Sequence, residues 1–268
     1  MATVREIMNI MQKIAPREHY FKEEYDNIGL IVGELDAQVK KVLCCLDVTV
    51  DVLDEAIKAG ADMIISHHPM IFCPIKSVTS ETVQGNKILT AIKNGISIYA
   101  AHTNLDFVKD GVNDFIAKEM GLLNIKVMYP YINDSEGFGR IGNLSTKQPC
   151  TVLKATLEQL LDDNYIRIIG EPATEVMNVA VINGAGGGDI KYIDMAIDQG
   201  ADCLVTADVK HHVAVYAKDR KFTLIEPQHY TMEHVYISRL VQILKIEAKA
   251  QKLNFQIVQS TQDINPRF

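Results

Sequence analysis

The sequence predicts an α/β fold: two similar α/β lobes related by internal duplication, facing across a metal-binding cleft. Three observations predict it. Short apolar runs alternate with helix-patterned segments, the rhythm of sheets covered by helices. The frame Asp-x-Ala-Ile-x-x-Gly-Ala-Asp occurs twice, at residues 54–62 and 194–202. In each half a later strand is followed by a histidine and, four positions on, a carboxylate: His102 with Asp106, and His229 with Glu233.

Composition bounds the rest. The chain has 268 residues, 47% hydrophobic and 23% charged, enough for one large or two medium domains with real cores. A formal net charge of -7 without any basic run argues against a nucleic-acid partner. Every apolar run falls short of the roughly 18 residues a membrane span needs. The five cysteines are odd in number and lack a CxxC pair, which fits a reducing cytoplasm and no disulfide framework. Cys44 and Cys45 read as two small buried hydrophobes.

The elements follow in order. Met1 to Pro16 carries Val4, Ile7, Met8, Met11 and Ile14 at helical spacing and reads as an amphipathic helix, not a targeting signal. Tyr25 to Gly33 is a turn entering a strand. Val42 to Leu46 is a buried strand, and Val50 to Lys58 a helix stopped by Gly60. Met63 to Ser66 is the next strand, followed by His67, His68 and Pro69; a proline cannot donate to a ladder, so the histidines sit at the strand's mouth. A loop over 74–82, a helix over 84–94, a strand over 96–101 and a helix over 112–120 complete the first half. Tyr129 to Asn143, with Pro, Asn, Asp and three glycines, reads as a crossing between lobes. Then come a helix over 151–161, strands over 165–169 and 176–182, a glycine-rich loop over 184–188 and a helix over 190–199. A strand over 203–206, a helix over 211–218, a strand over 222–225, a helix from 231 to 250 and a strand over 255–258 follow.

The duplication brings candidate ligands together. If His67, His68, Asp106, His229 and Glu233 converge, nitrogen and oxygen donors without thiolate suit Zn, Mn, Fe, Ni or Co. Five ligands exceed what one open catalytic site takes. Adjacent histidines diverge, so each can serve one of two divalent metal ions, with a carboxylate as bridge. His102 can orient a ligand or shuttle a proton. Bland alternatives stand beside each reading. A His-His pair is more often a turn or a satisfied polar contact, and a lone His-x3-Glu fits any amphipathic helix. The 184–188 loop is either an anion cradle at a helix start or a plain turn. Asp208, His211 and His212 have metal-site spacing, but the two histidines open a helix and read as solvent-facing or supporting. His19 and His234 read as surface or packing residues.

Several motifs together resemble one known family. They are Asp26-Asn27-Ile-Gly-Leu-x-Val-Gly33, Ser66-His67-His68-Pro69, His102-x-x-Leu-Asp106, Gly137-Phe-Gly-Arg140-Ile-Gly142, the Gly184 to Gly188 loop and His229-Tyr-x-x-Glu233. In this order, over nearly the whole chain, they resemble the GTP cyclohydrolase I type 2 homolog family, also called the Ngg-interacting-factor-three-like family. The chain is too short for the long central insertion some members carry. The resemblance implies a two-lobed protein with lobe 1 at 1–125 and 226–268 and lobe 2 inserted at 126–225. It implies a dinuclear divalent-metal site held by His67, His68, Asp106, His229 and Glu233, with Glu233 bridging, and a homohexameric ring. Where many relatives have a small residue before the second-half histidine, this chain has Gln228. The family name implies ring opening of GTP at the purine C8, with the glycine loop or Arg140 holding phosphates. The function expected is therefore a metal-dependent hydrolase of a nucleotide or small phosphorylated substrate. The alternative is a non-catalytic metal-binding or metal-handling oligomer acting through protein partners.

Overall fold

The computed structural model describes residues 2–19 and 26–266, apart from the side chains of His19 and Ile132. Tyr25, the start of the expected turn, and the His19 side chain lie outside them. In chain order the elements are β1 (Ala2–Thr3), α1 (Val4–Ile14), β2 (Gly29–Val32), β3 (Gln38–Val39), β4 (Lys41–Cys45), α2 (Val50–Ala59), β5 (Met63–Ser66) and α3 (Val83–Lys93). Next are β6 (Ser97–Ala100), α4 (Thr103–Phe107), α5 (Val112–Glu119), β7 (Leu123–Asn133), β8 (Glu136–Pro149), α6 (Cys150–Leu161), β9 (Arg167–Ile169) and β10 (Glu175–Ile182). The last are α7 (Lys191–Asp198), β11 (Cys203–Thr206), α8 (His211–Asp219), β12 (Thr223–Glu226), α9 (His229–Ala250) and β13 (Gln256–Gln259). This is a mixed α/β protein, and no described helix is long and apolar enough to cross a membrane.

The chain forms two compact units, Met1–Leu105 with Ile237–Phe268, and Asp106–Tyr236. The divides fall inside α4 and α9. In the first unit the sheet order is β13-β4-β5-β6-β2. The first four strands run parallel, and β2 is antiparallel to β6. In the second unit the order is β7-β8-β10-β11-β12-β9. Here β10, β11 and β12 are parallel, while β9 is antiparallel to β12. Each unit therefore repeats one plan: three parallel strands joined by two helices, closed at one edge by an earlier, antiparallel strand.

The repeated frame explains the repeated plan. Gly60 (φ 65°) and Gly200 (φ 78°) end α2 and α7 in the left-handed region, where a side chain is disfavoured. Ala61 N–H then donates to Ala56 O, and Ala201 N–H to Ala196 O. The closing aspartates do the same work twice. Asp62 Oδ2 accepts from the backbone N–H of Lys40 (2.7 Å) and Lys41 (3.0 Å). Asp202 Oδ2 accepts from Met177 and Asn178, both at 2.8 Å. Each carboxylate thus ties the helix–strand turn to the start of the neighbouring strand.

Each unit has its own apolar core. The first packs Leu43, Ile64 and Ile98 under Val52, Leu53 and Ile88. The second packs Ala180, Leu204 and Leu224 under Ile193, Ala196 and Val213. Helix α1 is fixed by a capping box between Thr3 and Glu6 and buries Val4, Ile7, Ile10 and Met11. Cys44 and Cys45 are buried in β4 as expected, and burial pushes the Cys44 thiol up to about 12.

The stretch read as a crossing is instead a hairpin, β7 paired antiparallel with β8. Pro130 is tolerated because β7 is the sheet's edge strand. Gly137 is required because a Cβ there would run into the Tyr129 carbonyl.

Candidate metal centre

In the first unit the parallel ladder carries on past Ser66. His67 N–H donates to Cys45 O (3.1 Å) and His68 N–H to Leu46 O (2.9 Å), before Pro69 ends the donors. Strand β6 runs alongside and delivers His102 one residue beyond Ala101. The three imidazoles form a triangle, with ring centroids 5.1 Å (His67–His68), 5.4 Å (His67–His102) and 5.6 Å (His68–His102) apart. Each has Nδ1 on an oxygen. His67 Nδ1 donates to Ala101 O at 2.8 Å, His68 Nδ1 to Asp47 Oδ1 at 2.8 Å, and His102 Nδ1 to Asp26 Oδ1 at 2.6 Å. Burial raises the Asp26 carboxyl, but hydrogen bonds from His102 and Thr103 outweigh it and hold it below the usual carboxylate range.

In the second unit His229 opens α9, and Glu233 lies one turn on. His229 Nδ1 meets Asp208 Oδ2 at 2.7 Å, and its Nε2 meets Glu233 Oε2 at 3.0 Å. Burial disfavours the imidazolium, but those two carboxylates raise its pKa to about 10. The buried Asn183 amide joins the carboxylates: Nδ2 donates to Asp106 Oδ1 (2.8 Å) and to Glu233 Oε1 (2.9 Å). Gly184, at φ 61°, lies in the left-handed region that disfavours a side chain, and a Cβ there would displace Glu233 Oε1.

These residues fit a metal. A carbonyl or an ionised carboxylate can only accept, so each Nδ1 carries the proton; in His67, His68 and His102 the ring's lone pair is then directed to Nε2, whereas His229 Nε2 also donates, to Glu233 Oε2. Metal-binding histidines are normally held this way. His67, His68 and His102 are close enough together to hold one ion. His229 between two carboxylates marks a place that demands positive charge, which a divalent cation can supply in the proton's stead. The structure thus brings His67, His68 and His102 together in one unit, and Asp106, His229 and Glu233 in the other.

Other expectations change. Arg140 holds no phosphate: it is buried, and all five donors are used. Nε is on Asp114, Nη1 on Gly137 O and Gly139 O, and Nη2 on Phe107 O and Val108 O. The 184–188 segment is a tight 3-10 turn packed on the exit of β11, with Gly187 N–H donating to Ala207 O. In line with expectation, His211 and His212 are exposed, and His234 packs, stacked on Tyr230 at 4.8 Å. Asn183 escapes sequence reading entirely, because an Asn before Gly reads as a turn. Asp47 and Asp208 each follow a strand, and that position was their only signal as orienting groups.

The Duf34/NIF3 (NGG1p interacting factor 3) family model matches residues 2–266. A Clostridium acetobutylicum protein named GTP cyclohydrolase 1 type 2 homolog is 32% identical, over 98% of this chain and 97% of that one. The crystal structure of a Bacillus cereus protein related to NIF3 superposes with a TM-score of 0.92 at 28% identity, covering 100% of this chain and 99% of that one. Reduced HcgD from Methanocaldococcus jannaschii does so with a TM-score of 0.81 at 27% identity, over 97% and 98%. With a family model matched over residues 2–266 and a relative 32% identical over nearly the full length of both chains, the chain belongs to the Duf34/NIF3 family.

Proposed function

We propose that the protein is a divalent-metal-dependent hydrolase of a nucleotide or small phosphorylated substrate. Its ligands for a metal pair are His67, His68, Asp106, His229 and Glu233, and His102 handles protons. One observation carries the reading: every one of the four imidazoles has its Nδ1 anchored on an oxygen, the arrangement that turns Nε2 into a ligand or a base. A bound metal pair supplies Lewis acidity toward water and a clamp for an oxyanion. The chain's own residues do the rest. Asp26 fixes the His102 ring, so its Nε2 lone pair can accept a proton. Asn183 sets the Asp106 and Glu233 carboxylates in place. Five thiols, four of them buried, and no disulfide among them suit the cytoplasm.

Purified protein loaded in turn with Zn, Mn, Fe(II), Co or Ni is expected to turn over GTP or another member of a nucleotide panel, and His68→Ala to abolish that turnover. Full metal occupancy with no turnover across the panel contradicts the hydrolase. It would favour a metal-handling oligomer that acts through protein partners. The spent donors of Arg140 speak for that second reading, because they withdraw an expected phosphate holder. In either case the assembly proposed is the homohexameric ring, which native mass spectrometry would register as six copies.

A further inference from the structure

Beyond Pro69 the chain turns outward, and its first exposed side chain is aromatic. An exposed phenylalanine alone means little. Phe72 is 55% exposed, yet its ring lies 6.0 Å from His102 at an interplanar angle of 90°. Exposure rises steadily along the cluster: His67 is 1% exposed, the His68 and His102 side chains 21% and 24%, and Phe72 55%. Phe72 thus stands at the open end of a graded row of rings.

Its position is built, not incidental. The loop is pinned at two carbonyls just before Phe72: Gln84 Nε2 donates to Met70 O at 2.5 Å, and Asn27 Nδ2 to Ile71 O at 2.6 Å. Met70 itself is buried. Asn27 adjoins Asp26, which holds His102. Two consecutive residues therefore fix both the imidazole and the aromatic ring beside it.

We propose that Phe72 is the aromatic wall of the histidine cluster and selects ligands that carry a planar, unsaturated ring next to their metal-seeking oxygens. A ligand reaching His68 and His102 comes alongside Phe72. Aromatic rings gain from edge-to-face or offset-stacked contact beyond the area they bury, and bases stack on such side chains without needing a particular sequence of polar groups. The inference rests on the metal reading above and adds the class of ligand to it.

The test uses two hydroxamates that present the same metal-binding oxygens, benzohydroxamate with an aromatic ring and acetohydroxamate with a methyl group. They are titrated onto metal-loaded full-length protein by calorimetry, with metal content measured before and after. In the unmodified protein benzohydroxamate should bind more tightly. Phe72→Ala should weaken benzohydroxamate roughly threefold to tenfold and leave acetohydroxamate unchanged. Phe72→Tyr should restore the preference, and Phe72→Leu should not. A benzohydroxamate advantage that survives Phe72→Ala overturns the aromatic wall while the metal reading stands. Failure of both hydroxamates to bind overturns both together. Because Phe72 is more than half exposed, unchanged thermal unfolding of the variants is expected and confirms that selectivity, not folding, is read.

Discussion

Asp208 is the residue on which the second unit's chemistry turns. It adopts φ 52°, a left-handed conformation that Asp tolerates, and there meets His229 Nδ1. Removing its charge leaves the ring less well oriented and less basic. Asp208→Asn is expected to weaken metal binding roughly 10- to 100-fold, read by competition with a chromophoric chelator; an unchanged affinity would deny it the orienting role. Arg140 makes the opposite prediction. Arg140→Met leaves Asp114 buried without its partner and should cost about 3–5 kcal/mol in urea unfolding. A loss of nucleotide affinity with stability intact would instead return Arg140 to phosphate binding. At this scale the sequence was partly legible. His67, His68 and His102 could be picked out because each follows a strand, and strand ends are where such folds bind ligands. Asn183 and Arg140 could not, because their roles depend on partners far away in the chain: Asp106 and Glu233 for one, Asp114 for the other.

Helix α9 shows how an element sets a site. It begins at His229, two residues before the expected start at 231. The cause is Asp163, a buried carboxylate that accepts from Gln228 N–H (2.7 Å), Gln228 Nε2 (2.9 Å) and Thr231 Oγ1 (2.9 Å) and so caps the helix from outside. Gln228 thereby has a structural task, giving both its backbone and its side-chain amide to Asp163. Burial raises the Asp163 carboxyl, but these hydrogen bonds outweigh it, and the pKa falls below its ordinary 3.8. A depressed carboxylate contributes stability in full above the unfolded value and loses it as pH falls through the folded value. Asp163→Asn should therefore lower stability at neutral pH by about 1–3 kcal/mol and shrink the loss on acidification below pH ~4. Parallel stability-versus-pH curves for the two proteins would show the carboxylate charge to be unimportant. Parallel strands and most of the longer helices were read from the sequence within a residue or two, but α1 starts at Val4, three residues after the expected Met1, and the short α4 was not read. The β7–β8 hairpin was not, because Pro130 and three glycines look like loop until the edge position and the close strand approach are seen.

The whole molecule is one supersecondary plan used twice, with the copies given different tasks. Both keep the Asp62/Asp202 tie and the same strand order, which is why the duplication was readable from one nine-residue frame. They differ at the end of the middle strand. The first copy places His67 and His68 there; the second places Ala207 and Asp208, and the latter orients a histidine instead of being one. The central claim of the proposed function is two divalent ions bound per chain. It is tested most directly by stripping the full-length protein of metal, titrating it with Mn, Co or Zn, and counting bound ions by mass spectrometry of the separated protein. The account predicts saturation at two ions per chain, falling below two in both His68→Ala and Glu233→Ala with each variant still folded. Saturation at zero, or at two in both variants, would contradict it.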